Sequence, residues 1–342
     1  MILERNVIDE DIEAVVKALG PLWHRLDGAR IFFTGGTGFI GRWMLEALVR
    51  SGAKTEIVAL SRDPAAFTAR APHIASAIEL VAGDTATFDF PSGPFTHVIH
   101  GATDASAALT ASDPCRMFDT ILNGTRRTLD LARASGNARY LFMSSGAVYG
   151  AQPPDLSHVG EDYFGGPDPR DPKSAYAEGK RAAETLCAIY AKQFGVDVVT
   201  ARIFALLGPM LTLDIHFAAG NFIRDAMAGR TIRVESAGQA VRSYLYAADL
   251  TAWLWTMLIA AEPGSAYNLG SEEAVSIADL ARRTATVLNG PGVDVLGKPD
   301  PGWNPGRYVP STAAIRRDLD VCATVSLDEA IRRTALSNGW TE

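Results

Sequence analysis

The segment Arg30–Gly41 reads RIFFTGGTGFIG and decides the fold of this 342-residue chain. Its opening run, Ile31–Thr34, combines β-branched and aromatic residues, which is typical of a β-strand. A glycine-rich turn follows at once, and a helical spacing of apolar residues begins directly after it. A strand that leads through such a turn into a helix predicts a site for the phosphates of a dinucleotide.

The residues of this turn have separate expected roles. Gly35 allows the tight turn, Gly38 lets a pyrophosphate approach the backbone, and Gly41 lets the helix pack closely on the strand. Phe39 and Ile40 open the helix, whose free N–H groups and partial positive charge attract phosphate. We therefore expect these five residues to bind the cofactor.

Short apolar runs recur along the chain and alternate with longer helical patterns. The further predicted strands are Ile57–Leu60, Ile78–Val81, Val98–His100, Tyr140–Ser144, Val198–Arg202 and Ala266–Leu269. They are apolar along most of their length, as expected of strands that helices cover on both faces. The predicted fold class is α/β: a Rossmann-like, doubly wound parallel sheet with a smaller mixed α/β substrate-binding domain.

The same alternation predicts three parts of the chain. Residues 1–29 form an N-terminal helical extension, whose Trp23 is expected to pack on the sheet. Residues 30–203, with about 245–270, form the NAD(P)-binding Rossmann domain. Residues 204–244 and 271–342 form the substrate-binding domain.

Composition narrows the class of protein. Apolar residues make up 47% and charged residues 21%, which is ordinary for a globular protein, and the net charge of −7 lacks the basic excess typical of nucleic-acid binding. Three scattered cysteines favour a reducing compartment. The acidic N-terminal stretch is unlike a signal peptide, and the longest apolar run, Leu250–Ala261, is too short to cross a membrane. We expect a cytoplasmic protein with neither nucleic acid nor membrane as a partner.

The end of the second strand bears on the choice between NAD and NADP. An acidic residue there would bind the 2′-hydroxyl of NAD and repel a 2′-phosphate. Ser61 stands at that position and Arg62 supplies a planar cation, which slightly favours NADP over NAD. The alternative is that Asp63 binds the ribose. Asp84, after the third strand, is a candidate for binding the adenine amino group, or alternatively a helix N-cap.

Three residues further along the chain are candidates for catalysis. Tyr176 and Lys180 are four apart on a predicted helix and therefore share one face. A cation beside the phenol, helped by an oxidised nicotinamide, would stabilise phenolate and let Tyr176 take a proton near neutral pH. Ser145 offers a hydroxyl to a substrate alcohol or ketone. His97 and His100 point to opposite faces of a strand, so we expect no metal site there.

The combined motifs resemble an extended short-chain dehydrogenase/reductase of the NAD-dependent nucleotide-sugar epimerase/dehydratase family. They are TGGTGFIG at 34–41, SSGAVYG at 144–150, and Tyr176 with Lys180. The resemblance covers about residues 30–320. It implies that Tyr176 accepts and donates the proton, that Lys180 modulates the Tyr176 pKa and binds the cofactor ribose, and that Ser145 is the third catalytic group.

The resemblance also implies partners. It implies a homodimer through helices at about 116–134 and 174–193, and a nucleotide-diphosphate sugar as substrate. Asn221 is similar to the family's diphosphate-contacting Asn, Arg242 to the Arg that pairs with the diphosphate, and Arg307 to a second phosphate-binding Arg. A guanidinium group suits phosphate oxygens.

Departures from the family pattern narrow the expected reaction. Family dehydratases carry Asp and Glu directly after the catalytic hydroxyl residue, where this chain has Gly146 and Ala147. The Glu of the family's decarboxylases is missing too. We expect oxidoreduction at a sugar carbon, with C4 as the leading candidate, by an epimerase or a 4-ketoreductase. The alternatives are a dehydratase with a non-standard acid/base set, an NADPH-dependent carbonyl reductase of a non-nucleotide substrate, and a non-catalytic NADP-sensing module.

Overall fold

The computed structural model describes residues 6–103, 112–213, 218–300 and 304–341. The strands are β1 (Arg30–Thr34), β2 (Glu56–Ser61), β3 (Glu79–Ala82), β4 (His97–His100), β5 (Arg139–Ser145), β6 (Val198–Ile203), β7 (Leu206–Leu207), β8 (Ile232–Val234), β9 (Val241–Arg242), β10 (Leu245–Tyr246), β11 (Ala266–Leu269), β12 (Val275–Ser276), β13 (Val293–Val295) and β14 (Arg307–Tyr308). The α-helices are α1 (Val7–Leu19), α2 (Phe39–Ser51), α3 (Pro64–Arg70), α4 (Pro72–Ala75), α5 (Pro114–Ala134), α6 (Ala175–Phe194), α7 (Ala218–Met227), α8 (Ala247–Ala260), α9 (Ile277–Val287), α10 (Ala313–Leu319) and α11 (Leu327–Ser337). Short 3₁₀ helices cover Gly20–Leu26, Gly146–Tyr149 and Pro172–Ser174.

Seven strands form one parallel sheet in the order β11-β6-β5-β4-β1-β2-β3. The seven predicted strands are all present, and the predicted fold class is confirmed. β1 pairs with β2 on one side and with β4 on the other, so the strand order reverses at β1. Ligands of open α/β sheets bind at this switch point, beyond the carboxyl ends of the strands.

Alternate side chains of β1 enter cores on the two faces of the sheet. Ile31 and Phe33 belong to the larger core, which also includes side chains of α1, α2 and α8. Phe32 belongs to the core that includes side chains of α5 and α6. Because both faces are covered, the strands need to be apolar throughout, as their sequences are.

The N-terminal extension packs on the first of these faces and is helical, as expected. Trp23 is buried, and its ring centroid lies 5.5 Å from that of Trp255 in α8. Asp11 of α1 accepts a hydrogen bond from Tyr246 and pairs with Arg333 of α11 at 2.7 Å. The extension therefore links helices of the sheet to the C-terminal helix.

Shorter elements form the remaining layers. Small sheets pair β7 with β10, β8 with β13, and β9 with both β12 and β14. Helices α7, α9 and α11 pack against one another beside them. The mixture of short strands and helices has the character expected of the substrate-binding part, whose boundaries stay a prediction.

Candidate active site

The turn between β1 and α2 has little room for side chains. Gly35 has a φ of +80°, and a Cβ there would lie 2.6 Å from backbone atoms of Gly101 and Ala102. A Cβ at Gly41 would lie 2.2 Å from Gly35 O. At Gly38, in contrast, the nearest described atom would be Gly35 O at 3.4 Å. Gly35 and Gly41 therefore serve the turn itself, whereas Gly38 borders open space that a phosphate can enter.

The start of α2 opens onto the same space. Gly38 is its N-cap and offers no side-chain acceptor to the first N–H groups, those of Phe39 and Ile40 among them. Nearby, after β4, Thr103 Oγ1 is buried and has no hydrogen-bond partner within the described part of the chain. Three features of this region fit a nicotinamide dinucleotide. They are the uncapped start of α2, the narrow space beside Gly38 and the unsatisfied hydroxyl of Thr103.

At the end of β2, the structure separates the two candidates for the ribose. The buried Ser61 hydroxyl accepts a hydrogen bond from the N–H of Asp63 at 3.2 Å. Asp63 itself accepts from the N–H of Ala66 at 2.9 Å and so caps α3. Asp63 therefore has a capping role through Oδ1, and its contact with the ribose stays a prediction. Arg62 is exposed beside it.

Arg70 is a residue of this region that the sequence reasoning missed. It ends α3, and its Nη2 donates to Thr37 O of the glycine-rich turn at 2.6 Å. Arg62 precedes α3 and Arg70 is its last residue, so the two arginines flank this helix beside the predicted adenosine site. An arginine at the end of a helix carries no special sequence signal, because the helix dipole favours cations there in any protein.

Asp84 lies in a turn after β3. Its carboxylate accepts from the N–H of Ala86 at 2.9 Å, and no α-helix begins there. The N-cap alternative for Asp84 is therefore wrong, and its contact with adenine stays a prediction.

The end of β5 and the start of α6 bring the three catalytic candidates together. The Ser145 hydroxyl lies close enough to the Tyr176 phenol to lower its pKa, and it accepts a hydrogen bond from the N–H of Ala147 at 3.2 Å. Lys180 is buried one turn further along α6, where Nζ donates to Met143 O at 2.7 Å. Burial lowers the pKa of the Lys180 ammonium to about 8. The side chains thus form one cluster at the carboxyl end of the sheet.

The Tyr176 pKa differs from the sequence expectation. Burial raises it, and the hydrogen bond with Ser145 opposes that rise. Lys180 is not among the groups that shift this pKa, and its ammonium is directed at Met143 O. A positively charged nicotinamide is the remaining cause that we expect to lower this pKa.

A network of buried polar groups joins α6, the helix that carries Tyr176 and Lys180, to the neighbouring strands. Ser144 donates to Glu184 of α6 at 2.6 Å, and Glu184 pairs with Arg202 of β6 at 2.7 Å. Arg202 also donates to the Tyr149 hydroxyl at 2.7 Å, which donates to Asn268 Oδ1 at 2.8 Å. Partners on every side are what a largely buried ion pair requires. Sequence reasoning missed this network because its members are scattered, although two of them stand in SSGAVYG.

Strand pairing separates the two phosphate-binding arginines. In the parallel ladder of β9 and β14, Arg242 is opposite Tyr308, and Arg307 is opposite Val241. Because successive residues of a strand point to opposite faces, the two arginines leave this ladder in opposite directions. Arg242 Nη1 donates to Val241 O at 2.8 Å, and Arg307 Nε donates to Ser157 O at 2.6 Å. The structure does not bring them together, and their phosphate contacts stay predictions.

Tyr308 is a second site residue that the sequence reasoning missed. Its hydroxyl lies near Ser145 and 3.5 Å from Ile203 O, and its ring centroid lies 4.5 Å from that of Phe204. Asn221 is half-buried in the first turn of α7, and its contact with a diphosphate stays a prediction. His216, a further polar residue of the second part, lies outside the described residues.

Phe204 fills the space beside Gly146. A Cβ at Gly146 would lie 2.5 Å from the Phe204 ring. That ring is held between Tyr308 and Tyr149, at centroid distances of 4.5 and 6.3 Å. The position of the dehydratase Asp is therefore occupied by an aromatic ring, so a side chain at position 146 has no place in this packing.

His100, at the end of β4, has hydrogen-bond partners within the core. His100 is buried between Thr34 and Thr125, with ring nitrogens 2.7 and 3.2 Å from their hydroxyls, and burial lowers its pKa to about 3. Among the described residues, no three His, Cys, Asp or Glu side chains are grouped to hold a metal ion. In the same part of the chain, no helix has the length and apolar character needed to cross a membrane.

Known proteins share this architecture. A model of the NAD dependent epimerase/dehydratase family matches residues 31–270. UDP-glucuronic acid decarboxylase 1 of Xenopus tropicalis is 30% identical over 311 residues, which cover 90% of this chain and 72% of that protein. UDP-glucose 4-epimerase of Thermus thermophilus, solved with NAD, has a TM-score of 0.73 and 25% identity, covering 91% and 100% of the two chains. RMD of Pseudomonas aeruginosa, solved with NADPH, has a TM-score of 0.73 and 23% identity, covering 90% and 98%.

The family model spans more than half of the chain, and the decarboxylase match is longer still. The glycine-rich turn and the cluster around Tyr176 lie within the residues that the family model matches. This chain therefore belongs to the NAD-dependent epimerase/dehydratase family and is an enzyme of the extended short-chain dehydrogenase/reductase type.

Proposed function

We propose that this enzyme moves a hydride between a nicotinamide cofactor and a carbon, C4 first, of a nucleotide-linked sugar. The observation that carries the proposal is the contact of Ser145 with Tyr176, with Lys180 buried behind them. The proposed substrate class is supported by relatives that are named for UDP-linked sugars. The reaction is that of a 4-epimerase or a 4-ketoreductase.

The residues of the cluster would divide the work as follows. The glycine-rich turn and the first N–H groups of α2 would hold the cofactor diphosphate, and Lys180 its ribose. The bound nicotinamide supplies the hydride acceptor or donor. Ser145 would hold the reacting sugar oxygen by a hydrogen bond, and Tyr176 would take the hydroxyl proton on oxidation or return it on reduction.

Two observations pull the choice between the two reactions in different directions. The capped Asp63 and the guanidinium groups of Arg62 and Arg70 favour NADP and therefore a reductase that uses NADPH once. The Thermus epimerase, which was solved with NAD, favours an epimerase that returns the hydride to the other face of the ketone. Mass spectrometry of the nucleotide released on denaturation separates them. Tightly retained NAD⁺ would support the epimerase, and an empty site that prefers NADPH would support the reductase.

Water loss by the family's usual route finds no support. Ala147 carries no acid or base, and Phe204 excludes a side chain at Gly146. A dehydratase or decarboxylase would need its acid and base from other residues, which keeps that alternative second.

The separation of Arg242 from Arg307 favours one other alternative, a carbonyl reductase of a non-nucleotide substrate. Calorimetric titration of the NADP⁺-loaded enzyme with UDP and dTDP tests it. We expect one of them to bind, and Arg242→Ala to weaken that binding about tenfold or more, as loss of a charge-assisted hydrogen bond would. Arg233→Ala, an exposed arginine of β8, is the matched control. No binding of either nucleotide by the wild-type enzyme would overturn the sugar-nucleotide substrate.

A homodimer through α5 and α6 is part of the proposal. These helices pack on each other, and Ile189 on α6 leaves 44% of its surface exposed. Light scattering should give twice the chain mass, and Ile189→Asp should reduce it to the mass of one chain. Unchanged monomer mass in the wild-type protein would contradict the dimer. The cytoplasmic location stays a prediction.

A further inference from the structure

The end of β4 borders the glycine-rich turn and carries a buried histidine. His100 is the last residue of β4, and Thr34, the last residue of β1, is its partner in the parallel ladder. Gly101 and Ala102 follow, and a Cβ at Gly35 would lie 2.6 Å from their backbone atoms. The loop after β4 therefore touches the glycine-rich turn at the point where the strand order reverses, which is where folds of this kind bind dinucleotides.

A run of hydrogen bonds passes through this histidine. Thr125 Oγ1, in α5, donates to Ile121 O at 2.8 Å, and it lies 3.2 Å from His100 Nε2. On the other side of the ring, His100 Nδ1 lies 2.7 Å from Thr34 Oγ1. Thr34 Oγ1 in turn accepts from the N–H of Ala102 at 3.3 Å. These four contacts, the His100 relay, join α5 to the loop beside the glycine-rich turn.

The available protons fix the direction of each bond in the His100 relay. A hydroxyl has one proton, and Thr125 gives its own to a carbonyl oxygen, which can only accept. His100 Nε2 must therefore donate to Thr125 Oγ1, so Nε2 carries the ring proton. In a neutral imidazole Nδ1 then has only a lone pair, and it accepts from Thr34. With its proton turned toward the ring, Thr34 presents a lone pair to the N–H of Ala102.

The surroundings of His100 favour one neutral form of its ring. Burial and the nearby Lys180 lower the His100 pKa to about 3, so the ring is neutral near pH 7. The opposite tautomer would turn a bare nitrogen toward the lone pairs of Thr125, and the Thr34 proton would no longer have a fixed direction. Buried polar groups need partners, and the Nε2–H form gives one to every group of the relay.

We propose that His100 is a positioning residue for the cofactor: as the Nε2–H tautomer it directs the Thr34 hydroxyl and so holds residues 101–103 against the glycine-rich turn. His100 is buried and therefore acts through Thr34 and this loop. Thr103, whose buried hydroxyl has no partner within the described part of the chain, ends the same three residues and is held ready for the cofactor. This role concerns the cofactor site and is independent of the sugar substrate.

Nitrogen NMR measures the tautomer of His100 directly. The full chain is labelled with ¹⁵N at its six histidines, and the His100 signals are identified by their loss in His100→Asn. Nε2 is recognised because it couples to both ring C–H protons. We expect the proton on Nε2 with and without bound NADPH. A proton on Nδ1, or a doubly protonated ring at pH 7, overturns the proposal.

A substitution at the far end of the His100 relay tests its effect on cofactor binding. Thr125→Val keeps the shape of the side chain and leaves the Nε2–H without an acceptor, so we expect the proton to move to Nδ1. Affinity for NADPH and for NADH, measured by fluorescence titration, should then fall about fivefold, the effect of one weakened hydrogen bond. Thr125→Ser keeps the hydroxyl and should restore both the tautomer and the affinity.

Thr128→Val is the matched control. Thr128 is a buried threonine of the same helix, and its hydroxyl bonds to Gly124 O and the Tyr140 hydroxyl, outside the relay. Its loss should leave the His100 tautomer and the cofactor affinity unchanged. Equal losses of affinity in Thr125→Val and Thr128→Val, or a moved proton with wild-type affinity, would overturn the positioning role. If Thr125→Val does not fold, Thr34→Val and Thr34→Ser make the same comparison, with affinity lost in the valine variant alone.

Discussion

Alanine at Gly38 and alanine at Gly41 should have opposite effects, although the two glycines are three residues apart in one turn. At Gly41 the new Cβ would lie 2.2 Å from Gly35 O and 2.5 Å from Gly36 Cα, both of them backbone atoms. At Gly38 it would meet Gly35 O at 3.4 Å, an ordinary contact, and the backbone there is extended, with φ −82° and ψ −175°. Gly41→Ala should therefore damage the fold, and Gly38→Ala should damage only cofactor binding.

The geometry sets the size of each effect. Overpacking against backbone costs about 3 kcal/mol, the upper end of the usual range, and the unfolding entropy grows with chain length, so Gly41→Ala should lower Tm by roughly 4 °C. For Gly38→Ala, reduced freedom of the unfolded chain is worth about 0.4–1 kcal/mol and offsets the poorer helix cap, so Tm should stay within about 2 °C of the wild type. The methyl group would stand where a phosphate approaches, so NADPH affinity should fall at least about tenfold.

Differential scanning calorimetry and NADPH fluorescence titration measure the two quantities on the same samples. The stability measurement contains its own control, because Gly38→Ala should keep the Tm that Gly41→Ala loses. Wild-type affinity for NADPH and NADH in Gly38→Ala would show that no phosphate lies over this turn. An unchanged Tm in Gly41→Ala would show that the helix does not pack on the strand as described.

Three more perturbations have predictable results. Gly146→Asp should lower stability by about 1–3 kcal/mol without creating dehydratase activity, and Phe204→Ala should cost less in this background than in the wild type, because the smaller side chain relieves the overlap; equal costs in urea unfolding would show that the ring moves aside freely. Arg70→Ala should weaken 2′,5′-ADP binding several-fold more than 5′-AMP binding, and Arg62→Ala should do the same. Equal losses for the two nucleotides would show that these arginines do not bind the 2′-phosphate. Burial raises the pKa of Asp11 from 3.8 to about 6, so the folded state favours the protonated carboxyl. This contribution to stability is fully present below pH 3.8. It falls by about 3 kcal/mol as the pH rises from 3.8 through 6. Asp11→Asn does not titrate and should lose less stability than the wild type over that interval; parallel curves from urea unfolding would contradict the raised pKa.

Sequence reasoning predicted best what is local. Each strand of the large sheet is a short apolar run, and β1 and β2 lead directly into helices, so these positions depend on neighbours a few residues away. The turn at Gly35 to Gly41 and the pair Tyr176 and Lys180 are local in the same sense, and the structure has a strand before that turn and a helix carrying that pair, as expected.

What sequence reasoning missed depends on register and on competing uses of one residue. Whether Arg242 and Arg307 share a face is decided by the pairing of two-residue strands, and a slip of one residue would reverse the answer. The same pairing places Tyr308 opposite Arg242, which the sequence alone does not indicate. Asp63 can bind a ribose or cap a helix, and only the hydrogen bond to Ala66 separates the two.

The side chain of Asn268 connects segments of the polypeptide that are far apart in sequence. Asn268 Nδ2 donates to Val159 O at 2.9 Å and to Ser311 O at 3.2 Å, while its Oδ1 accepts from Tyr149. These contacts close long loops, and such contacts form late because chain entropy opposes them. Until β11 and the segment around Ser311 arrive, Tyr149 and the ion pair beside it lack part of their bonding. The polar network behind the catalytic cluster is therefore complete only when three distant stretches of polypeptide have met.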